Sequence, residues 1–145
     1  MDRILDNACA GPLYLRQPAI ATMVVEAIHY RHQCLGHYQI HAHVVMANHV
    51  YLLITPYIEV SRLMQSLKRF TAREGNRMLG HTGQPFWQDE SHDRLVRDEG
   101  EFQQIVRYIE MNPVKAGLAA KPEDFPWSSA GPIHNRPAGC QPAPQ

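Results

Sequence analysis

Hydrophobic and polar positions alternate most clearly between Tyr38 and Pro56, where the chain reads YQIHAHVVMANHVYLLITP. Two β-rich apolar runs, Ile40–Met46 and Val50–Thr55, flank the turn-like dipeptide Ala47-Asn48. β-Branched and aromatic residues dominate both runs, and neither Gly nor Pro interrupts them, which predicts a hairpin. Side chains on a strand alternate faces, so His49, Tyr51 and Leu53 share one face while Val50, Leu52 and Ile54 share the other. The same rule groups His41, His43 and Val45 on the preceding strand.

Elsewhere the period is helical. Pro18 suits a first helical position, and Ile20, Met23, Val24, Ala27 and Ile28 follow at core-facing spacing, predicting a helix over 18–34 closed by Gly36. A long helix is expected from Val60 to Leu79, with Val60, Leu63, Leu67, Phe70 and Met78 on its core arc. Gly75 weakens its end. Over 99–112, Phe102, Ile105, Val106 and Ile109 form a core stripe, and Glu101, Gln104, Tyr108 and Asn112 form a polar stripe roughly 110° away. Pro113 disfavours the α conformation at Asn112 and predicts the helix end there; Asn112 could equally cap a short turn running from Pro113 to Gly117.

The remaining segments are weaker. Met1–Gln17 is poorly patterned, with a turn at Gly11-Pro12. His81–Glu90 reads as a loop ending in the aromatic pair Phe86-Trp87; Trp87 suits a core lid or, less commonly, a base-stacking platform. His92–Arg97 predicts a short strand with Leu95 as its buried member. Beyond Ala130 the Pro- and Gly-rich tail, 131–145, is expected to be disordered.

Composition changes this picture little. A chain of 145 residues, 44% hydrophobic and 19% charged, suits one globular domain. Net charge is zero, so any nucleic-acid surface must be local. Cys9, Cys34 and Cys140 lack CxxC spacing, consistent with reduced thiols in a cytoplasmic protein and with no structural zinc. Neither a membrane span nor a signal peptide is visible.

Three clusters carry candidate chemistry. The His residues and Tyr51 of the hairpin could converge on a metal or a phosphate, or be ordinary half-buried polar residues of a sheet. On the long helix, Arg62, Arg69, Arg73 and Arg77 form one stripe about 120° from the core arc, with Lys68 nearby. That stripe is either a solvated face or a track for a phosphate backbone, which guanidinium groups suit. Tyr108 is not needed to fill the core, as befits either a surface tyrosine or one with a chemical task.

Met46-Ala47-Asn48-His49-Val50-Tyr51-Leu52-Leu53 resembles the M-P-N-H-V-H-L-L stretch of the REP-associated tyrosine transposases, a branch of the single-tyrosine HUH transposases. Phe86-Trp87-Gln88 and Val96-Arg97-Asp98-Glu99 resemble the family's W-Q … R-D segment. The run Tyr108-Ile109-Glu110-Met111-Asn112-Pro113-Val114-Lys115-Ala116-Gly117-Leu118 is similar to its Y-I-x-x-N-P-V-K-A-G-L signature, and Pro122–Ser129 to its P-E-D-W-P-W-S-S close. These matches span 18–130, in order.

The resemblance implies an α+β, ferredoxin-like antiparallel sheet covered by helices, formed by one transposase-like domain over 1–130. It implies cleavage and rejoining of single-stranded or hairpin DNA through a 5′-phosphotyrosine. Tyr108 matches the nucleophile, His49 the first metal ligand and Asn112 the third, with Mg²⁺ or Mn²⁺ as the ion. Tyr51 stands where the family has its second His, and a protonated phenol is a poor ligand. His41 or His43 could reach the ion instead. A catalytically inactive DNA-hairpin-binding module is the alternative. The family's opening strand is missing upstream of Pro18. A substitute would come from the N-terminal segment or from a partner chain in a homodimer, or the chain is a shortened relative.

Overall fold

The computed structural model describes residues 2–8, 14–87 and 91–132. The expected disorder of 131–145 therefore lies almost wholly outside the described residues.

Four strands, β1 (Arg3–Ala8), β2 (Tyr38–Val45), β3 (His49–Pro56) and β4 (Ser91–Leu95), form one antiparallel sheet in the order β2-β3-β1-β4. Helices α1 (Pro18–Gln33), α2 (Val60–Leu79) and α3 (Glu99–Lys115) complete the described fold. This is the ferredoxin-like arrangement with one added helix. Buried residues of α1 and α2 cluster with Leu5, Val50, Leu52 and Ile54 on one face of the sheet. Ile105 and Ile109 of α3 cluster with Ala42, Val44 and Leu53 on the other. The sheet is a partition between two cores.

The opening strand, expected to be missing, is present. Arg3–Ala8 pairs with β3 on one side and β4 on the other, with Leu5 opposite both Leu52 and Asp93. Its sequence hid it because a central strand is covered on both faces: Leu5 joins the α1/α2 core and Ile4 packs against the α3 core. Adjacent apolar residues replace the alternation that would have marked a half-buried strand. The gap that called for a partner chain is filled by the chain itself.

The hairpin and α2 have the expected bounds, but four details differ. The register of β2 shifts between Ile40 and Ala42, a bulge that breaks the alternation. Tyr38 and Val45 consequently share the α1/α2 core, while Ala42 and Val44 share the α3 core. Met78 is 40% exposed and Leu95 41% exposed, so neither is core. Buried positions late in α2 are instead Thr71, Gly75 and Asn76, and next to β4 it is Val96 that packs inward. α3 does not stop at Asn112: it runs through buried Pro113 to Lys115, with Ala116 N–H donating to Asn112 C=O at 3.0 Å. Packing of Pro113 outweighs the one backbone bond it removes. Cys34 is disulfide-bonded, against the expectation of three reduced thiols.

Two further contacts fix the layers. Arg31, fully buried, donates from Nε to Ser66 Oγ and from Nη2 to Ser66 C=O, both at 3.2 Å, tying α1 to α2, while its Nη1 donates within α1 to Ala27 C=O at 3.1 Å. Burial lowers its pKa. On the opposite face, Glu101 accepts from the Arg97 backbone N–H (2.9 Å) and from the Arg94 guanidinium (3.0 Å), fastening α3 to β4. These bonds, that of the Arg97 N–H foremost, hold its carboxyl at about 2, well below its ordinary range.

Candidate nucleic-acid site

β3 is an interior strand, paired along its length with β1 and β2, so residues on it are rigidly placed. His49 and Tyr51 are both half-buried on its α3 side, and Tyr51 packs against the α3 core. Their rings meet edge to face, with centroids 4.9 Å apart. His49 Nδ1 lies 2.9 Å from Asn48 Oδ1.

α3 crosses this face because Ile105 and Ile109 are buried against it, which leaves Tyr108 on the helix flank, 44% exposed. The Tyr108 hydroxyl lies 3.4 Å from that of Tyr51, and the two rings meet edge to face with centroids 5.5 Å apart. Asn112 follows one turn on, its Nδ2 3.4 Å from Tyr108 C=O. Lys115 Nζ lies 5.9 Å from the centroid of the Tyr108 ring. His49, Tyr51, Tyr108, Asn112 and Lys115 thus gather on one face.

His41 and His43 are not part of this group. The bulge sends them to opposite faces. His43 is fully buried, its Nε2 3.1 Å from that of His29 on α1. His41 packs on Phe102, with Nε2 2.6 Å from Thr55 Oγ1, which in turn donates to Asp2. Neither reaches Tyr51 or His49 to supply the replaced ligand.

The donor set fits a divalent cation poorly. His49 Nε2 and the Asn112 amide oxygen are two neutral donors, and the third position is a phenol whose oxygen already engages Tyr108. Hard cations favour oxygen-rich, usually carboxylate, ligands. No cluster of three His, Cys, Asp or Glu side chains suited to a metal occurs among the described residues.

The basic residues of α2 lie elsewhere. Arg62, Arg69, Arg73 and Arg77 are exposed and Lys68 is half-buried, on a helix that packs on the sheet face opposite Tyr108. Arg77 pairs with Glu74 at 2.9 Å and Arg73 stacks over Phe70. Trp87 is a core lid: its indole N–H donates to Thr71 Oγ1 at 2.9 Å. Lys115 is the site residue that sequence reasoning passed over, although it stood in the quoted signature, because the predicted helix ended before it.

A four-stranded antiparallel sheet with a strand-borne His and a helix-borne Tyr on its α3 face makes an α+β domain of ferredoxin-like topology. Residues 17–112 match the family described as "Transposase IS200 like", and the chain belongs to that family. Among solved structures, a REP-associated tyrosine transposase bound to a REP hairpin superposes with a TM-score of 0.66 at 19% identity, covering 88% of this chain and 75% of that one. A candidate transposase from Deinococcus radiodurans R1 superposes with a TM-score of 0.53 at 22% identity, covering 76% of this chain and 88% of that one. At these identities the likeness is one of fold. No curated protein matches. No described helix is long and apolar enough to cross a membrane.

Proposed function

We propose that this protein binds single-stranded or hairpin DNA and that Tyr108 attacks a backbone phosphate. In that step the Tyr108 oxygen forms a bond to phosphorus and the bond from phosphorus to the 3′-oxygen breaks. The departing 3′-oxygen takes up a proton, the phenol loses one to solvent, and a 5′-phosphotyrosine stores the bond for rejoining. The observation that carries this reading is the placement of Tyr108: off the core, exposed, and held over an interior strand beside His49 and Tyr51. Membership of the transposase family and the hairpin bound by the structural relative support DNA as the partner. The exposed arginines of α2 supply a separate surface for the phosphate backbone. This activity belongs to one domain over 1–130.

A second reading rests on the phenol at position 51, which stands where the family holds its second metal-binding His. On that reading the chain binds DNA hairpins without cutting them. One assay separates the two. Incubating the protein with labelled hairpin oligonucleotides bearing single-stranded flanks, with Mg²⁺ or Mn²⁺ and with chelator, should yield a covalent band on a denaturing gel. Retarded complexes with no covalent band under any condition would favour the binding module.

A further inference from the structure

We propose that the Lys115 ammonium is the positive charge that holds the DNA phosphate at Tyr108. This inference rests on the DNA reading above. Lys115 follows Tyr108 by seven residues, which at ~100° per residue returns it to within about 20° of the same helix face. That alignment exists only because α3 continues through Pro113. Long helical side chains lean toward the helix N-terminus, so Lys115 reaches back over the tyrosine, as its 5.9 Å distance from the ring centroid records.

The charges around the site make this contact consequential. His49, Tyr51, Tyr108 and Asn112 include no Lys or Arg, whereas an attacked phosphodiester carries a negative charge that grows in the transition state. Arg94 and Arg97, on the same side of the sheet, are both committed to Glu101 at 3.0 Å. Arg3 is committed to Asp93 at 2.5 Å. Lys115 is exposed at the end of its helix, and its recorded contact is with the Tyr108 ring. An ammonium on a flexible stem is the kind of point charge that binds phosphate. Of these cations, Lys115 is the one that lies over the Tyr108 ring.

The test uses the full chain, a hairpin oligonucleotide with a single-stranded flank, and the variants Lys115→Gln and Lys115→Arg. Binding is followed by anisotropy across a salt series, in chelator and in Mg²⁺, and covalent adduct formation by gel at saturating DNA. The expected result for Lys115→Gln is a salt slope shallower by about 0.7, the loss of one single-strand phosphate contact. Its adduct rate at saturation should fall by about 10²-fold, the scale for removing one transition-state donor. Lys115→Arg should recover the slope, and the slope difference should persist in chelator. A lysine that only complements the helix end would change the melting temperature and leave slope and saturated rate alone; that outcome overturns the proposal, as does a slope difference seen only with Mg²⁺. If the wild type forms no adduct but Lys115→Gln still flattens the slope, cleavage fails and the phosphate contact stands. Absence of any binding by the wild type removes both.

Discussion

The two faces of the sheet are built for different purposes. On the α1/α2 face the core is the larger of the two, and two polar side chains that enter it are tied down: Arg31 by Ser66 and Ala27, and Tyr38 by its 2.7 Å bond to Ile28 C=O. The arginines of the α2 stripe lie on its outer side. On the α3 face a smaller core of Leu53, Ile105 and Ile109 leaves the rest of the layer to a line of polar rings, His49, Tyr51 and Tyr108. The covalent step proposed above needs atoms held by a rigid strand yet open to a strand of DNA, and among the described residues the α3 face offers both. Long-range attraction needs spaced charges and no cavity, which an outer helix face supplies.

The largest expected effect is confined to the α3 face. Tyr108→Phe should abolish the covalent adduct while leaving the melting temperature and DNA affinity nearly unchanged, because the residue lies off the core. Undiminished adduct in the variant would remove Tyr108 from the chemistry.

Next comes the replaced ligand. Because the strand's two-residue period fixes the direction of residue 51, Tyr51→His should build a three-donor set with His49 and Asn112. Mn²⁺ affinity should then rise by the ~10–100-fold typical of changes around metal sites. Calorimetric titration of both proteins checks this, and equal affinities would mean that more than the side chain at 51 has changed.

Gly75→Ala probes the α1/α2 face. A Cβ there would lie 2.5 Å from Phe86 Cε2, and the ring is hemmed in by Tyr14 and Trp87 at 5.6 and 5.2 Å. Overpacking should cost roughly 1–3 kcal/mol, outweighing the ~1 kcal/mol that alanine gains in helix propensity. Denaturant unfolding gives the sign: a stabilised variant would mean the ring yields.

The α2 stripe sharpens the contrast between faces. Arg69→Gln with Arg73→Gln should weaken DNA binding and reduce the log–log salt slope by roughly one unit per lost contact. The adduct rate at saturating DNA should be unaffected. Unchanged affinity and slope would make the stripe a solvated helix face only.

The smallest effect concerns Glu101. Its folded-state pKa, about 2, lies below the ordinary value, so its contribution to stability is fully present above that value and fades as pH falls through about 2. Glu101→Gln should therefore lower the melting temperature near neutrality, and the gap from wild type should close under strong acid. A gap independent of pH would assign the loss to geometry and not to charge.

The hairpin, α1 and α2 were legible in the sequence because each buries one face, and one-sided burial writes a period of two or 3.6 into the chain. Tyr108 was legible for the complementary reason, being a large side chain left off the apolar stripe. What the pattern concealed were elements with more than one neighbour. β1 is covered on both faces, so Ile4 and Leu5 stand side by side and no alternation marks them. The bulge in β2 separates His41 from His43 although they share parity in sequence, and only the pairing of Ile40 and Ala42 with successive β3 residues shows it. Helix α3 crosses Pro113 because the proline is buried, a long-range gain that a local rule about residues preceding proline does not contain. Sequence by itself thus determined which residues have a face to bury and which chemistry the chain carries. The tertiary structure decided which of those residues meet, setting Tyr51 against Tyr108, Lys115 over the same ring and the arginines on the far side of the sheet. Meeting depends on contacts between segments far apart in the chain, and periodicity records only near neighbours.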